Sequence, residues 1–223
     1  MPRLFASLST SQRVGAGLLA LLVLFAVLEG LLGRTDPALQ NLAQRFATPS
    51  LAEPLGTDPF GRSMLARMGA ALRLSLSLSL VCVLTSALIG VGLGIAAGWR
   101  QGWVDRVLSF VLNLVLALPG LVLILLVAGL APGSLLALYV AISLVLWVEY
   151  FRVVRAITRQ AVASQPMQAS RMLGFGWRYC LRRHVWPALV GPVATLAAFG
   201  AAGSIMALAA LGFVAVGLRP PTA

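Results

Sequence analysis

Arg73-Leu74-Ser75-Leu76-Ser77-Leu78-Ser79-Leu80 alternates polar and apolar residues with period two, the pattern of a half-buried strand. The stretch does not end there, because it stays apolar as far as Ala97. Strands rarely exceed about ten residues, whereas a helix needs roughly 20 to cross a hydrocarbon core of about 30 Å. Residues 74–97 therefore read as a membrane helix, with the serines bonded back to their own carbonyls or to a neighbouring helix. Four other stretches are long and apolar enough to match it: residues 14–32, 107–130, 135–154 and 188–211. Backbone polar groups cannot stay unpaired in lipid, so each is predicted to be a helix. The expected fold class is an all-α integral membrane bundle of about five transmembrane helices.

Composition agrees. Of the 223 residues 60% are hydrophobic and only 10% charged, against about a quarter charged in soluble domains; the mean hydropathy is +0.95. All 17 basic residues are arginine, and the net charge is +11. No basic face interleaved with aromatics suggests nucleic acid, so the arginines are read as orienting the chain in a bilayer. Cys82 and Cys180 lie in an apolar run and a basic segment, and are read as free thiols. The first apolar run is long for a signal peptide and lacks a clean cleavage site, so it is read as a retained anchor.

Arginine counts set the orientation. The segment 149–186 carries Arg152, Arg155, Arg159, Arg171, Arg178, Arg182 and Arg183 against one acid, Glu149. Residues 98–106 hold Arg100 and Arg106, and the N-terminus holds Arg3 and Arg13. Residues 34–73, by contrast, dilute their arginines with Asp36, Glu53 and Asp58. The positive-inside rule places the N-terminus and both basic segments in the cytoplasm. Five crossings then leave the C-terminus outside.

Gly90, Gly94 and Gly98 recur at every fourth residue, a spacing that lets helix backbones approach closely. Helix packing is the reading adopted. A phosphate cradle is rejected, because no Lys-Ser/Thr follows. Gly200, Gly203 and Ser204 suggest a second small-residue face, either a subunit contact or a lining of a translocation path. Glu149, one turn before Arg152, is read as half of a local ion pair.

Two polar segments carry signals of their own. Asp58-Pro59-Phe60-Gly61 has the chemistry of a type I turn. Gln168-Ala169-Ser170-Arg171-Met172-Leu173-Gly174, with Pro187 farther on, reads as a short helix, a stop and a fresh helix start. Ser164 is a candidate cap, Pro166 fits a first turn, and Gly174 suits a left-handed C-terminal position. Small Ala169 and Ser170 permit close approach of another protein. Met167, Met172 and Leu173 offer adaptable apolar contacts. The bland alternative is an amphipathic stretch lying on anionic headgroups through Arg171, Arg178, Arg182 and Arg183.

This second segment resembles the "EAA…G…I-LP" coupling loop of ABC importer permeases. Leu55-Gly56-Thr57-Asp58-Pro59-Phe60-Gly61-Arg62 resembles the "LGTDxxGRD" box of the dipeptide, oligopeptide and nickel permeases, with Ser63 in place of the last Asp. Gly102-Trp103-Val104-Asp105-Arg106 resembles that family's entry to its third helix, Leu118-Pro119 its kink, and the group Trp147, Tyr150, Arg152 and Arg155 the end of its fourth helix. Gly212-Phe213-Val214-Ala215-Val216-Gly217 followed by Pro220-Pro221-Thr222 resembles a further motif of that family. The similarity runs from Leu55 to the end and points to the C-type subunit of the peptide/nickel group. Gln168, Ser170, His184 and Trp186 depart from the family pattern. The family also continues past this chain's last residue into a sixth helix. The resemblance therefore implies either a removed C-terminus or a shortened permease, and the first is favoured because losing a helix would expose small or polar faces to lipid.

The resemblance implies a non-catalytic subunit gripped by an ATPase through Met167, Gln168, Ala169, Ser170, Met172, Leu173, Gly174 and Pro187. It implies residues 1–33 as an N-terminal segment and first helix, 34–73 as an extracytoplasmic loop, and 74–223 as the permease core, with the coupling segment at about 159–186. Implied partners are a homologous second permease, two cytoplasmic ATPases and an extracytoplasmic substrate-binding protein, beside membrane lipid. ATP and Mg would be bound by the ATPases, because this chain has no Walker sequence, and no cofactor or metal site is expected in it. The cargo would be a di- or oligopeptide, or else nickel or a metallophore complex. An intramembrane protease is disfavoured, since no Gly-x-Ser-Gly site or pair of membrane aspartates appears. A stand-alone secondary transporter is disfavoured for want of repeats and membrane-depth charges.

Overall fold

Long apolar runs with few breakers make helices whose ends are set by the few polar residues that can satisfy orphan backbone groups. The computed structural model describes residues 9–33 and 36–213, and the motif residues Val214–Gly217, Pro220, Pro221 and Thr222, like Arg3 and Arg34, lie outside them. The described elements are α1 (Thr10–Leu32), a 3-10 turn (Leu42–Gln44), α2 (Met64–Arg100), α3 (Gly102–Leu116), α4 (Gly120–Leu130), α5 (Leu135–Ala163), α6 (Gln165–Met172), α7 (Trp177–Cys180) and α8 (Trp186–Phe213). A π-helical turn, Leu181–Val185, joins α7 to α8. Among the described residues four helices are long and apolar enough to cross a membrane, and five if α3 and α4 count as one broken span. The chain divides between Ser77 and Leu78 into two compact units.

In the first unit, α1 opens with a capping box. Ser9 Oγ accepts from the Gln12 N–H at 3.3 Å, and Gln12 Oε1 accepts from the Ser9 N–H at 2.9 Å. Near the far end of α1 the buried Glu29 carboxylate pairs with Arg73 of α2, which also donates to the Ala26 carbonyl at 3.2 Å. Pairing removes the large cost of leaving either charge alone beside lipid. The loop between these helices folds on itself. The N–H of Asn41 bonds the Phe60 carbonyl at 3.2 Å, and that of Thr57 bonds the Ala47 carbonyl at 3.2 Å.

In the second unit, α2 and α5 run parallel at very close range. Cys82 Sγ lies 3.9 Å from the Tyr139 carbonyl oxygen, and Ser86 Oγ donates to the Ser143 carbonyl at 3.3 Å. Farther along, Gly90, Gly94 and Gly98 face the carbonyls of Trp147, Phe151 and Arg155. Every step of four on α2 meets a step of four on α5 in the same direction, which only parallel helices allow. The α4–α5–α8 core gathers Ile124, Ala128, Leu138, Ala141, Ile142, Ala207 and Leu211 around Cys82.

Three expectations need correction. The span 107–130 is broken rather than merely kinked at Leu118-Pro119: α3 and α4 meet at 80° across the break at Ala117–Pro119. Pro119 has no N–H to continue the ladder and disfavours helical backbone in the residue before it. The helix predicted at 74–97 starts at Met64, and the one predicted at 135–154 continues to Ala163, because hydropathy sees lipid-depth residues and not the helical turns beyond them. The last helix does not begin afresh at residue 188, since residues from Trp177 onward are already helical and only the π-helical turn interrupts them. That turn lies just before Pro187, whose missing N–H would break an ordinary α-helical ladder there.

Candidate functional site

The arginine-rich segment builds a compact device from the end of α5 to the start of α8. Ser164 is extended at the head of α6, as its position predicts, but its hydroxyl does not cap that helix. It donates back to the Ala161 carbonyl of α5 at 2.7 Å. Pro166 occupies the first turn of α6. The helix ends in a Schellman motif: the Gly174 N–H bonds the Arg171 carbonyl at 3.0 Å and the Phe175 N–H bonds the Ser170 carbonyl at 3.1 Å. Gly174 closes it at φ +81°, a conformation that other L-residues adopt only with strain.

The two faces of α6 differ sharply. Met167 is fully buried among Val154 of α5, Cys180 of α7, Val185 of the π-helical turn and Leu189 of α8. This corrects its expected role as an outward contact: the apolar face of a helix this short is decided by what it rests on. Gln168, Ala169, Arg171, Met172, Leu173 and Gly174 are exposed, Met172 at 88% and Leu173 at 76%. Ser170 is half-buried, and its Oγ lies 2.8 Å from His184 Nε2 in the π-helical turn. Pro187 is exposed in the first turn of α8.

The small residues of α2 sit against backbone. A β-carbon at Gly94 would stand 2.9 Å from Val154 Cβ and 3.0 Å from the Phe151 carbonyl oxygen; at Gly98 it would stand 2.8 Å from both the Arg155 carbonyl oxygen and Thr158 Cβ. The expected single face on α8 is instead two. Gly200 is buried beside Leu146, Tyr150 and Val83, and Ser204 donates to Ser79 Oγ at 2.6 Å. Gly203 points outward with nothing within 4 Å. At about 100° per residue, Gly203 falls roughly 60° to one side of Gly200 and Ser204 roughly 40° to the other, so only the second lies on the inner face.

Glu149 and Arg152 are both exposed and form no ion pair, which corrects the local pairing. The arginine that does pair is Arg155. It grips Asp105 of α3 with two donors, Nη2 at 2.7 Å from Oδ2 and Nε on Oδ1. Sequence reasoning missed this pair, although both residues lie near ends of predicted spans. It also missed Glu29 with Arg73, opposite charges near facing ends of successive spans.

In the first unit the Asp58–Gly61 turn closes with a 2.9 Å bond from the Gly61 N–H to the Asp58 carbonyl. Asp58 Oδ1 accepts the N–H groups of Phe60 and Arg62 at 2.8 and 3.0 Å, while Oδ2 takes the Arg62 guanidinium at 2.7 Å and that of Arg67. Burial works to raise the acid's pKa. The Arg62 backbone and side-chain hydrogen bonds, the Phe60 N–H and the Arg62 charge overcome it, and the carboxyl falls to about 2. The motif is thus an internally clamped loop, with Asp58 and Arg62 buried. Among the described residues no three His, Cys, Asp or Glu side chains gather as a metal site.

Residues 90–223 match the family described as binding-protein-dependent transport system inner membrane component. The chain is 36% identical over 215 residues to the dipeptide transport system permease protein DppC of Escherichia coli K12, covering 94% of this chain and 72% of that protein. It is 31% identical over 210 residues to the metal-staphylopine import system permease protein CntC of Staphylococcus aureus, covering 94% and 73%. It is 27% identical over 215 residues to the DppC of Haemophilus influenzae, covering 94% and 73%. The apolar helices fit the same assignment, and the chain belongs to the binding-protein-dependent inner-membrane component family, as a multi-pass permease subunit of a bacterial ABC importer.

Proposed function

We propose that α6 is the element through which cytoplasmic ATPases move this permease. The observation that carries the reading is the pairing of exposed Met172 and Leu173, on a helix closed by Gly174, with a buried Met167 that roots the helix in the permease's own core. Gln168 and Ala169 flank the exposed apolar tip, Ser170 braces it through His184, and Pro187 lies in the first turn of the helix that receives the motion. A short helix held in a cleft and rooted this way transmits rigid-body displacement.

In this reading two ATPases bind ATP and Mg, a homologous permease supplies the other half of the path, and an extracytoplasmic protein delivers cargo. Residues 1–33 anchor the chain, 34–73 lie outside, and 74–223 form the core. Gly90, Gly94 and Gly98 hold α2 on α5. The buried Gly200 and Ser204 serve internal packing, and the outward Gly203 is left as the candidate for a subunit contact or the path. The cargo is a di- or oligopeptide, supported by the dipeptide systems of two relatives. A metal–metallophore complex is the second reading, favoured by the staphylopine system of the third.

Gly174→Val tests the coupling role. A β-branched residue at φ +81° strains the motif that aims α6, while no membrane-crossing segment changes. Insertion should be normal, uptake lost, and the ATPases released or uncoupled; Gln168→Glu should be tolerated. Normal uptake and substrate-stimulated ATP hydrolysis in the valine variant would sink the reading. Competition between labelled dipeptide and a metal–metallophore complex for uptake separates the two cargoes.

A further inference from the structure

The inner end of α2 and the turn after α6 enclose a groove that coupling does not use. A cavity of about 600 Å3 has Gly92, Ile95 and Ala96 as its apolar wall, Trp99 and Trp177 at its sides and Arg100 at its edge. Trp177 and Leu181 also line a second cavity of about 340 Å3, which continues to Arg178, Arg182 and Trp186. We propose that this groove holds one anionic phospholipid of the cytoplasmic leaflet. Its acyl chain would lie against Gly92, Ile95 and Ala96, and its phosphate would meet Arg100, Arg178 and Arg182.

Three observations carry this. First, the groove is amphiphilic in the sense a lipid needs: apolar along the membrane helix and cationic where the positive-inside rule puts the cytoplasmic headgroups. Second, the charge is unanswered among the described residues. Arg100, Arg178 and Arg182 are exposed and take part in none of the ion pairs found there, and Asp105, the acid of the neighbouring α3, is already held by Arg155. Third, one of the cations is oriented: Arg178 lies over the Trp177 ring at 5.6 Å. A guanidinium resting on an indole face keeps its N–H edge free for a phosphate. Gly92 contributes space, since a β-carbon there would meet nothing within 4 Å.

The test uses the complete importer, purified in mild detergent and exchanged with phosphatidylglycerol or phosphatidylcholine of identical acyl chains, with retained lipid read by native mass spectrometry. Phosphatidylglycerol should be retained about tenfold better. Arg178→Gln with Arg182→Gln should abolish that preference, whereas Arg178→Lys with Arg182→Lys should keep most of it. Gly92→Leu should displace the lipid by filling the wall. The same spectra report subunit assembly, so loss of lipid from an intact complex is separable from any failure of coupling. Equal retention of both lipids by the unaltered protein, or unchanged retention in the glutamine variant, would overturn the proposal. So would an oxidative cross-link from Gly92→Cys to a cysteine of the second permease, which would assign the groove to a protein partner.

Discussion

A methyl group added at Gly90 would stand 2.5 Å from Tyr150 Cβ and 2.6 Å from the Trp147 carbonyl oxygen. Carbon atoms prefer about 3.5–4.0 Å, so α2 and α5 must part by roughly 1 Å at this level. The oxygen belongs to backbone and cannot rotate aside. A gap of that size forfeits about a quarter to a half of each dispersion contact along the seam, and overpacking of this kind costs about 1–3 kcal/mol. Alanine's better helix propensity returns roughly 0.5–1 kcal/mol. Gly92 is the control on the same helix: its β-carbon would meet nothing, so Gly92→Ala should gain that propensity without the clash. The two variants should differ by about 2 kcal/mol, or on the order of 4–8 °C in the midpoint of thermal unfolding for a chain of this size. Tryptophan fluorescence of the purified complex during heating measures it. Gly94→Ala and Gly98→Ala, with nearest approaches of 2.9 and 2.8 Å, should fall between. A Gly90→Ala protein melting at or above Gly92→Ala would refute a close α2–α5 seam.

The Asp58 carboxyl, held at about 2 against an ordinary 3.8, contributes stability that is complete above the ordinary value and lost as pH falls through the lower one. The contribution is about 2 kcal/mol. Protease resistance of the loop around Asp58 should therefore hold from neutral pH down to about 4 and decline below it, whereas Asp58→Asn should lose resistance even at neutral pH; an asparagine loop as resistant as the original would dismiss the clamp. Arg155 and Asp105 should show about 1 kcal/mol of coupling in a double-mutant cycle, discounted because the arginine side chain is 30% exposed. Zero coupling would mean the pair only decorates the surface. For orientation, a cysteine replacing the exposed Leu55 should react with an impermeant thiol reagent from outside and one replacing Gln168 should not. The native Cys82 and Cys180 are buried and keep the background low, and the opposite labelling would reverse the topology.

Length and polarity made most of the fold legible. The Leu-Ser alternation at 73–80 mimics a strand, and only the apolar continuation to Ala97 decides for a helix. A kink at Leu118-Pro119 was legible through the family resemblance, but its 80° angle was not, because both sides of Pro119 are equally apolar and hydropathy carries no direction. The stop at Gly174 could be read locally, since a Schellman motif is built from neighbours in sequence. The partners of Asp105, Glu29 and Ser170 could not. Each lies on another element, where no periodicity links the two residues. Met167 failed for a related reason: sequence shows that a methionine is adaptable, but the packing of α6 decides whether it adapts to a partner or to its own protein.

That failure strengthens the mechanical argument. Had Met167 faced outward, α6 would have been a tab hinged on the bonds around Ser164, and a pull on its tip would have bent the hinge. Buried among Val154, Cys180, Val185 and Leu189, it ties the root of α6 to both α5 and α8. The Ser170–His184 bond adds a polar tie to the turn that enters α8. Beyond that point α5 is fixed twice, to α2 along the glycine seam and to α3 through Arg155 and Asp105. Close-packed interfaces of this kind resist continuous deformation, so displacement of α6 carries α5 and α8 with it before any of the ties opens. On the proposed coupling role, a partner seated on the exposed Met172 and Leu173 would move α5 and α8 together with α6.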